Sequence, residues 1–352
     1  HIIQLTCPPK YLFLDFFDSH FRSKRDEDKF GSSKRGNQTL VTEFIFLGFS
    51  NHPELRGLFF LIFLLIYLVT LLGNLLILTA IRINPALHTP MYYFLSNLSF
   101  LDICYTSTTV PIMLVNFFRE KKTIAYEGCL SQLFFLVTFA GSECVLLAAM
   151  AYDGFIAICH PLRYPVLMSK KVCAYLAAGS LLCGLVNSMI QTGLTAILTF
   201  CGPNQISHFL CDIPLLLKLS CSDTSVNEFA LYVSSATIAL SPCLFIIVSY
   251  MFIISAILKI QSTQGRHKAF STCASHFTVV IIFYGTGTFN YDQPSSDYSL
   301  DVDVLVSVLF CIFTPMLNPL IYSLRNKEVK VALRKLCEGY ILSRDSFVQI
   351  SF

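Results

Sequence analysis

The chain lacks tryptophan entirely and is poor in charge: Asp, Glu, Lys and Arg make up 13% of its 352 residues, about half the share of an ordinary soluble domain. The apolar pool (A, V, I, L, M, F, W, Y and C) makes up 54%, so most of the surface must face lipid. Without tryptophan, the 16 tyrosines and the basic side chains are left to anchor the membrane interfaces. The net charge is only +3 and no Lys/Arg run is interleaved with aromatics, which excludes nucleic acid as a partner. No Cys-x-x-Cys or His-x-x-x-His spacing occurs among the 14 cysteines and 8 histidines, so no metal-ligand motif is present. Near the start, the apolar stretch Tyr11 to Phe17 is broken by Asp15 and has no small-residue cleavage site; it does not read as a signal peptide.

What the chain has is long apolar runs. A bilayer core about 30 Å thick needs roughly 20 apolar helical residues, and seven stretches qualify. Gly57 to Ala80, Val172 to Phe200, Phe229 to Leu258 and Val304 to Leu324 contain no Asp, Glu, Lys or Arg. Tyr92 to Phe118 carries only Asp102, Gly128 to Tyr152 only Glu143, and Ala269 to Tyr291 only His276 among its acids, bases and histidines. Residues 57–325 therefore read as an all-α membrane domain of seven transmembrane helices, preceded by an extracellular segment at 37–56 and followed by a cytoplasmic tail at 326–352. Lys/Arg asymmetry sets the orientation. Beyond the first 40 residues, thirteen Lys/Arg fall on the side that holds the carboxyl terminus and five on the other. The carboxyl terminus is expected in the cytoplasm and the amino terminus outside, where Asn37-Gln38-Thr39 is an N-glycosylation acceptor.

A carboxylate inside a span is costly and marks a functional candidate. Asp102 and Glu143 are the two here, and Pro319 lies inside the last span, where it frees a backbone carbonyl and permits a kink. No inverted repeat suggests a transporter, and His276 and Glu143 lie in different spans without the convergent groups an enzyme needs.

Four segments carry a family resemblance: LHTPMYYFLSNLSFLDICY (Leu87 to Tyr105), MAYDGFIAICHPLRY (Met150 to Tyr164), KAFSTCASHFTVV (Lys268 to Val280) and PMLNPLIYSLRN (Pro315 to Asn326). In this order and spacing the chain resembles the olfactory receptors of the rhodopsin-like G protein-coupled class, from Asn37 to about Cys337. The resemblance implies a receptor for a small volatile odorant that activates a heterotrimeric G protein of the stimulatory olfactory type, raising cyclic AMP, in the plasma membrane of sensory cilia. Four outside cysteines allow three pairings; the resemblance implies Cys129 with Cys211 and Cys201 with Cys221. The other cysteines in or beside the spans are expected to pack as small apolar residues.

By the same resemblance, Asn74, Asp102, Glu143 and Asn318 line a polar midplane. That midplane is either a hydrated pocket holding a sodium ion at Asp102 and Glu143 or a purely structural hydrogen-bond network. No other cofactor is implied. Asn318-Pro319-x-x-Tyr322, Pro242 and Tyr250 match the activation machinery, and Arg266 and Lys268 would lie beside a bound G protein. The odorant pocket would lie among Leu136, Val137, Ala140, Gly141, Ser234, Ile238, Tyr284, Thr288 and Tyr291. No charged anchor occurs in the outer halves of the spans, which favours a neutral ligand.

The sequence departs from the family at Asp153-Gly154-Phe155, where the pattern is Asp-Arg-Tyr. Glycine offers none of the arginine's contacts and costs about 1 kcal/mol against alanine in a helix interior. Impaired coupling, or the product of a decayed receptor gene, is the alternative function. Residues 1–36 have no family counterpart; upstream sequence carried into a gene model is one explanation and a disordered extension the other. Asn326 to Cys337 alternates basic and apolar residues as a short amphipathic helix on anionic lipid.

Overall fold

The structure is a computed structural model that describes residues 41–48, 53–291, 300–325, 329–332 and 334. Side chains of residues 268, 271–272, 288–291, 300–303 and 323–325 lie outside the description, as do residues 1–40 with Asn37 and most of the tail. Seven helices make the bundle: α1 (Arg56–Ile83), α2 (Pro90–Phe118), α3 (Tyr126–Cys159), α4 (Lys170–Ala196), α5 (Ser225–Leu258), α6 (Thr263–Tyr291) and α7 (residues 300–325). Five of them, with the Val304–Tyr322 part of α7, are long and apolar enough to cross a membrane. Helix α6 is the exception, since its apolar portion is Cys273–Gly287 and polar Gln264, Arg266 and His267 occupy its start.

Leu58, Leu61, Leu65, Leu68, Leu72 and Leu75 line an exposed face of α1, and Leu244, Ile247, Val248 and Met251 do so on α5. Such surfaces are compatible with lipid and not with water. Inside, Leu98, Leu146, Leu147, Ile246 and Val279 anchor one core through most of the bundle. Of the cysteines expected to pack as small apolar residues, Cys144, Cys173 and Cys311 are buried, Cys104, Cys159, Cys243 and Cys273 half-buried, and Cys183 lies on an exposed face.

Two helices change pitch at a proline. Ser235–Leu240 in α5 and Leu309–Phe313 in α7 are π-helical, and Pro242 and Pro315 follow within two residues. A proline has no N–H and its ring presses on the carbonyl four residues back; widening the preceding turn relieves that clash. Thr314 Oγ1 then donates to the Leu309 carbonyl at 3.1 Å.

One end of the bundle carries structure that the sequence did not announce. Strand β1 (Glu43–Phe46) lies between β2 (Thr123–Ala125), antiparallel to it, and β3 (Gln205–Ile206), parallel to it. Phe44 and Phe46 point inward onto Ile124, Leu133, Phe200, Ile206 and Leu216, a second and smaller core. Four residues alternating in and out are too short a pattern to stand out within 37–56. The structure joins Cys129 to Cys211 and Cys201 to Cys221, with Cα–Cα separations of 5.7 and 5.9 Å. Helix α4 ends at Ala196, short of the expected Phe200, because Phe200 pairs with Ser220 in an antiparallel bridge beside the second disulfide. A further short helix, Ile213–Leu219, is capped by the Asp212 carboxylate, which accepts from the Ile213 N–H at 2.8 Å.

Candidate functional site

The midplane acids meet on one amide. Asn318 Nδ2 on α7 donates to both carboxylate oxygens of Asp102 on α2, at 3.0 and 3.1 Å, and approaches Glu143 Oε1 on α3 at 3.5 Å. Asp102 is fully buried and Glu143 is 3% exposed. Three helices thus converge through polar groups in an apolar interior, where each group depends on the others for satisfaction.

Asn74 joins the same region differently. Its amide donates to Thr70 on its own helix at 3.0 Å and to the Pro315 carbonyl at 3.3 Å. Gly73 lets α7 approach: a Cβ there would come within 3.1 Å of the Pro319 ring. Two buried oxygens nearby in sequence, Asn74 Oδ1 and the Tyr322 hydroxyl, have no hydrogen-bond partner among the described residues.

Toward the other end, Tyr250 and Pro242 sit on α5. The Tyr250 hydroxyl hydrogen-bonds His276 Nδ1 at 2.6 Å, the rings stacked 5.7 Å apart, so α5 and α6 are tied by a buried polar pair. Asp153 is buried and accepts from the Tyr164 hydroxyl at 2.9 Å. Helix α3 runs unbroken through Gly154 to Cys159. The space a Cβ of Gly154 would meet holds Ile253 Cδ1, 3.7 Å away. Phe155 packs edge-on against Phe252 at 5.9 Å. Arg266 is half-buried at the start of α6; the Lys268 side chain lies outside the described residues.

The expected pocket residues are brought together in part. Gly141 abuts Ile238 Cγ2 and Gly184 Cα, each 3.4 Å from its Cβ position. Ser234 donates to Asn187 Oδ1 at 2.7 Å, and Asn187 also faces Gly141. Tyr284 donates to the Cys144 carbonyl at 3.2 Å, tying α6 to α3. Leu136 and Ala140 belong to the main core, whereas Val137 packs on the sheet-end core. The side chains of Thr288 and Tyr291 lie outside the described residues.

A family profile described as "Olfactory receptor" matches residues 63–339. The chain belongs to the olfactory receptor family. Among similar proteins, olfactory receptor 5AP2 of Mus musculus is 52% identical over 306 residues, covering 87% of this chain and 96% of that protein. Olfactory receptor 5I1 of Homo sapiens is 52% identical over 305 residues, 87% and 97% of the two chains. Olfactory receptor 2G3 of Homo sapiens is 50% identical over 304 residues, 86% and 98%. Membership makes the chain a multi-pass membrane receptor of the seven-helix G protein-coupled type, not an enzyme.

In this olfactory receptor several structural contacts escaped the sequence reading. Gln132, buried on α3, accepts from the Cys211 N–H at 3.0 Å and donates to the Thr108 carbonyl at 3.3 Å, so it fastens the disulfide to α2. Gly184 lies so close to α3 that a Cβ would overlap Ser142 Oγ and the Thr138 carbonyl oxygen. A neutral Gln and a Gly inside apolar helices stand out little in sequence, although small residues at membrane helix contacts are a known pattern.

Proposed function

We propose that this receptor binds a small, neutral volatile odorant between α3, α5, α6 and α7 and transmits binding to a heterotrimeric G protein of the stimulatory olfactory type. What supports the reading is the family membership together with the polar junction of Asp102, Glu143 and Asn318, which couples α2, α3 and α7 at the level where α7 carries Pro315 and Pro319. A ligand drives such a switch only through its preference for one of two helix arrangements. The Lys/Arg asymmetry supports an exoplasmic sheet-bearing end and a cytoplasmic carboxyl terminus; the ciliary plasma membrane follows from the odorant role.

Two buried carboxylates facing one amide fit a hard monovalent cation, and Asp102 and Glu143 would hold a sodium ion. The ion would offset one of their two negative charges in the resting arrangement. Replacing sodium by choline is expected to lower the thermal stability of wild type more than that of Glu143→Gln.

A second reading, a receptor impaired in coupling, is favoured by Gly154, which leaves the inner end of α3 without its family arginine. Cyclic AMP reporters in cells bearing wild type or Gly154→Arg at the surface, exposed to a broad odorant panel, test both. Response by wild type supports full function. Response by Gly154→Arg alone supports the second reading. Silence of both, with surface expression intact, overturns the signalling proposal.

A further inference from the structure

Where α3, α4 and α5 meet, in the half of the bundle nearer the sheet, most hydroxyls are spent on the protein itself. Ser142 donates to the Thr138 carbonyl at 2.7 Å, Ser188 on α4 donates to the Phe134 carbonyl, and Ser234 on α5 donates to Asn187 Oδ1 at 2.7 Å. Tyr284 on α6 donates to the Cys144 carbonyl at 3.2 Å. Two donors are left over. Asn187 Nδ2 has no hydrogen-bond partner among the described residues, since the side chain's one bond is the one its oxygen accepts from Ser234. Asn187 is half-buried, so its N–H groups are not sealed off. Thr138 is 2% exposed, and its hydroxyl also has no partner among the described residues.

The Thr138 hydroxyl is unpaired for a local reason. A threonine in a helix ordinarily bonds the carbonyl four residues back, as Thr70, Thr195 and Thr278 do. For Thr138 that carbonyl belongs to Phe134, and Ser188 occupies it. The two unmet donors share one patch. Thr138 and Gly141 are three residues apart on α3 and so lie on one face. Asn187 Nδ2 is 3.9 Å from the Gly141 Cβ position, with Ile238 Cγ2 and Gly184 Cα at 3.4 Å, and Gly184 in turn abuts the Thr138 carbonyl. Lipid offers such donors no partner.

We propose that this patch receives the carbonyl oxygen of the odorant, with the Asn187 amide donating one hydrogen bond and the Thr138 hydroxyl the other, so that the receptor selects ketones, aldehydes and esters. The inference rests on the odorant reading and narrows its ligand class. A carbonyl oxygen has two lone pairs for the two unmet donors and brings no donor of its own. An alcohol brings an O–H that needs an acceptor, and the Thr138, Phe134 and Cys144 carbonyls already accept hydroxyls. A carboxylate would bury a charge beside Asn187, Thr138, Gly141 and Ile238, none of which is a cation. Ser234 holds the Asn187 oxygen and thereby turns the nitrogen toward Gly141, where the missing side chain leaves the N–H uncovered.

The test is ligand-dependent thermal unfolding of the full-length receptor in detergent. The probes are a panel of aliphatic, alicyclic and aromatic ketones, each matched with the alkene in which a methylene group replaces the carbonyl oxygen. Wild type should bind its best ketone roughly tenfold more tightly than the matched alkene, the difference one buried hydrogen bond makes. Asn187→Leu should bind the two equally, and Thr138→Val should lose part of the preference. Thr138→Val is nearly isosteric, so it reads the site even if Asn187→Leu folds poorly. A wild type that binds alkene and ketone alike would overturn the proposal and leave the odorant reading standing, as would an Asn187→Leu receptor that keeps the ketone preference. No shift with any probe would overturn the odorant reading and this inference with it.

Discussion

Asn74 donates its side-chain amide to the carbonyl of Pro315 on α7, 3.3 Å away. In an α-helix that carbonyl would accept from the N–H four residues on, but residue 319 is proline and has none. The amide of α1 therefore satisfies the acceptor that Pro319 strands, and Gly73 makes the approach close enough. Helix α7 keeps an interior proline, and with it the capacity to bend, without burying an unpaired carbonyl.

The coupling between the two sites can be measured. Asn74→Leu should destabilise the receptor by about 1–3 kcal/mol, since it leaves the Pro315 carbonyl buried and unbonded. Pro319→Ala supplies an N–H to that carbonyl, so Asn74→Leu should cost less in its presence. A double-mutant cycle on thermal unfolding reads the difference. Strictly additive losses would break the proposed link.

Some of this was legible in sequence for a physical reason. Asp102 and Glu143 stood out because a carboxylate in an apolar run is conspicuous, and the helices stood out because lipid demands long apolar stretches. What could not be read was pairing. The residues of the Asn318–Asp102 hydrogen bond are 216 positions apart, and nothing local encodes which acid the amide meets. Strand β1 was missed because it owes its place to Phe44 and Phe46 filling a core built from distant loops. The end of α4 was overrun because Ile197 to Phe200 is apolar enough to continue a span, yet Phe200 is held in a bridge with Ser220.

Gly154 separates helix stability from signalling. Among the described residues its Cβ position meets only Ile253 Cδ1 at 3.7 Å, an ordinary contact distance, so alanine fits without rearrangement. Gly154→Ala should gain up to about 1 kcal/mol of stability from helix propensity while leaving the cyclic AMP response as in wild type. Gly154→Arg should gain comparable stability and raise the odorant response. An equal rise in response with alanine would assign the effect to folding and not to the restored cation.

Two glycines of α4 should behave oppositely. A Cβ at Gly184 would overlap Ser142 Oγ and the Thr138 carbonyl oxygen, and that carbonyl is backbone that cannot rotate away. Gly184→Ala should push α4 off α3 and cost about 1–3 kcal/mol or more. Among the described residues nothing lies within 4 Å of the Gly179 Cβ position, so Gly179→Ala should be neutral or stabilising by up to about 1 kcal/mol. Cell-surface expression and thermal unfolding of the pair check this, and similar losses at both positions would contradict the close approach.

Two groups in the disulfide-linked loop give the sheet-bearing end opposed responses to acid. His208 is buried, and burial lowers its imidazole from 6.5 to about 4. Between those values the unfolded chain binds a proton that the folded chain does not, so this contribution to stability falls as pH falls from 6.5 toward 4. Burial raises the Asp212 carboxyl from 3.8 to about 6, against the opposing hydrogen bond from the Ile213 N–H. Here the folded chain holds the proton that the unfolded chain has released, so stability falls as pH rises from 3.8 toward 6. The two slopes oppose between about 4 and 6. Removing one should expose the other: Asp212→Asn, which keeps an oxygen to cap Ile213, should unfold at lower temperature as pH drops from 6 to 4. His208→Gln should unfold at higher temperature over the same range. Parallel pH profiles for the two variants would mean that neither group carries the loop's response.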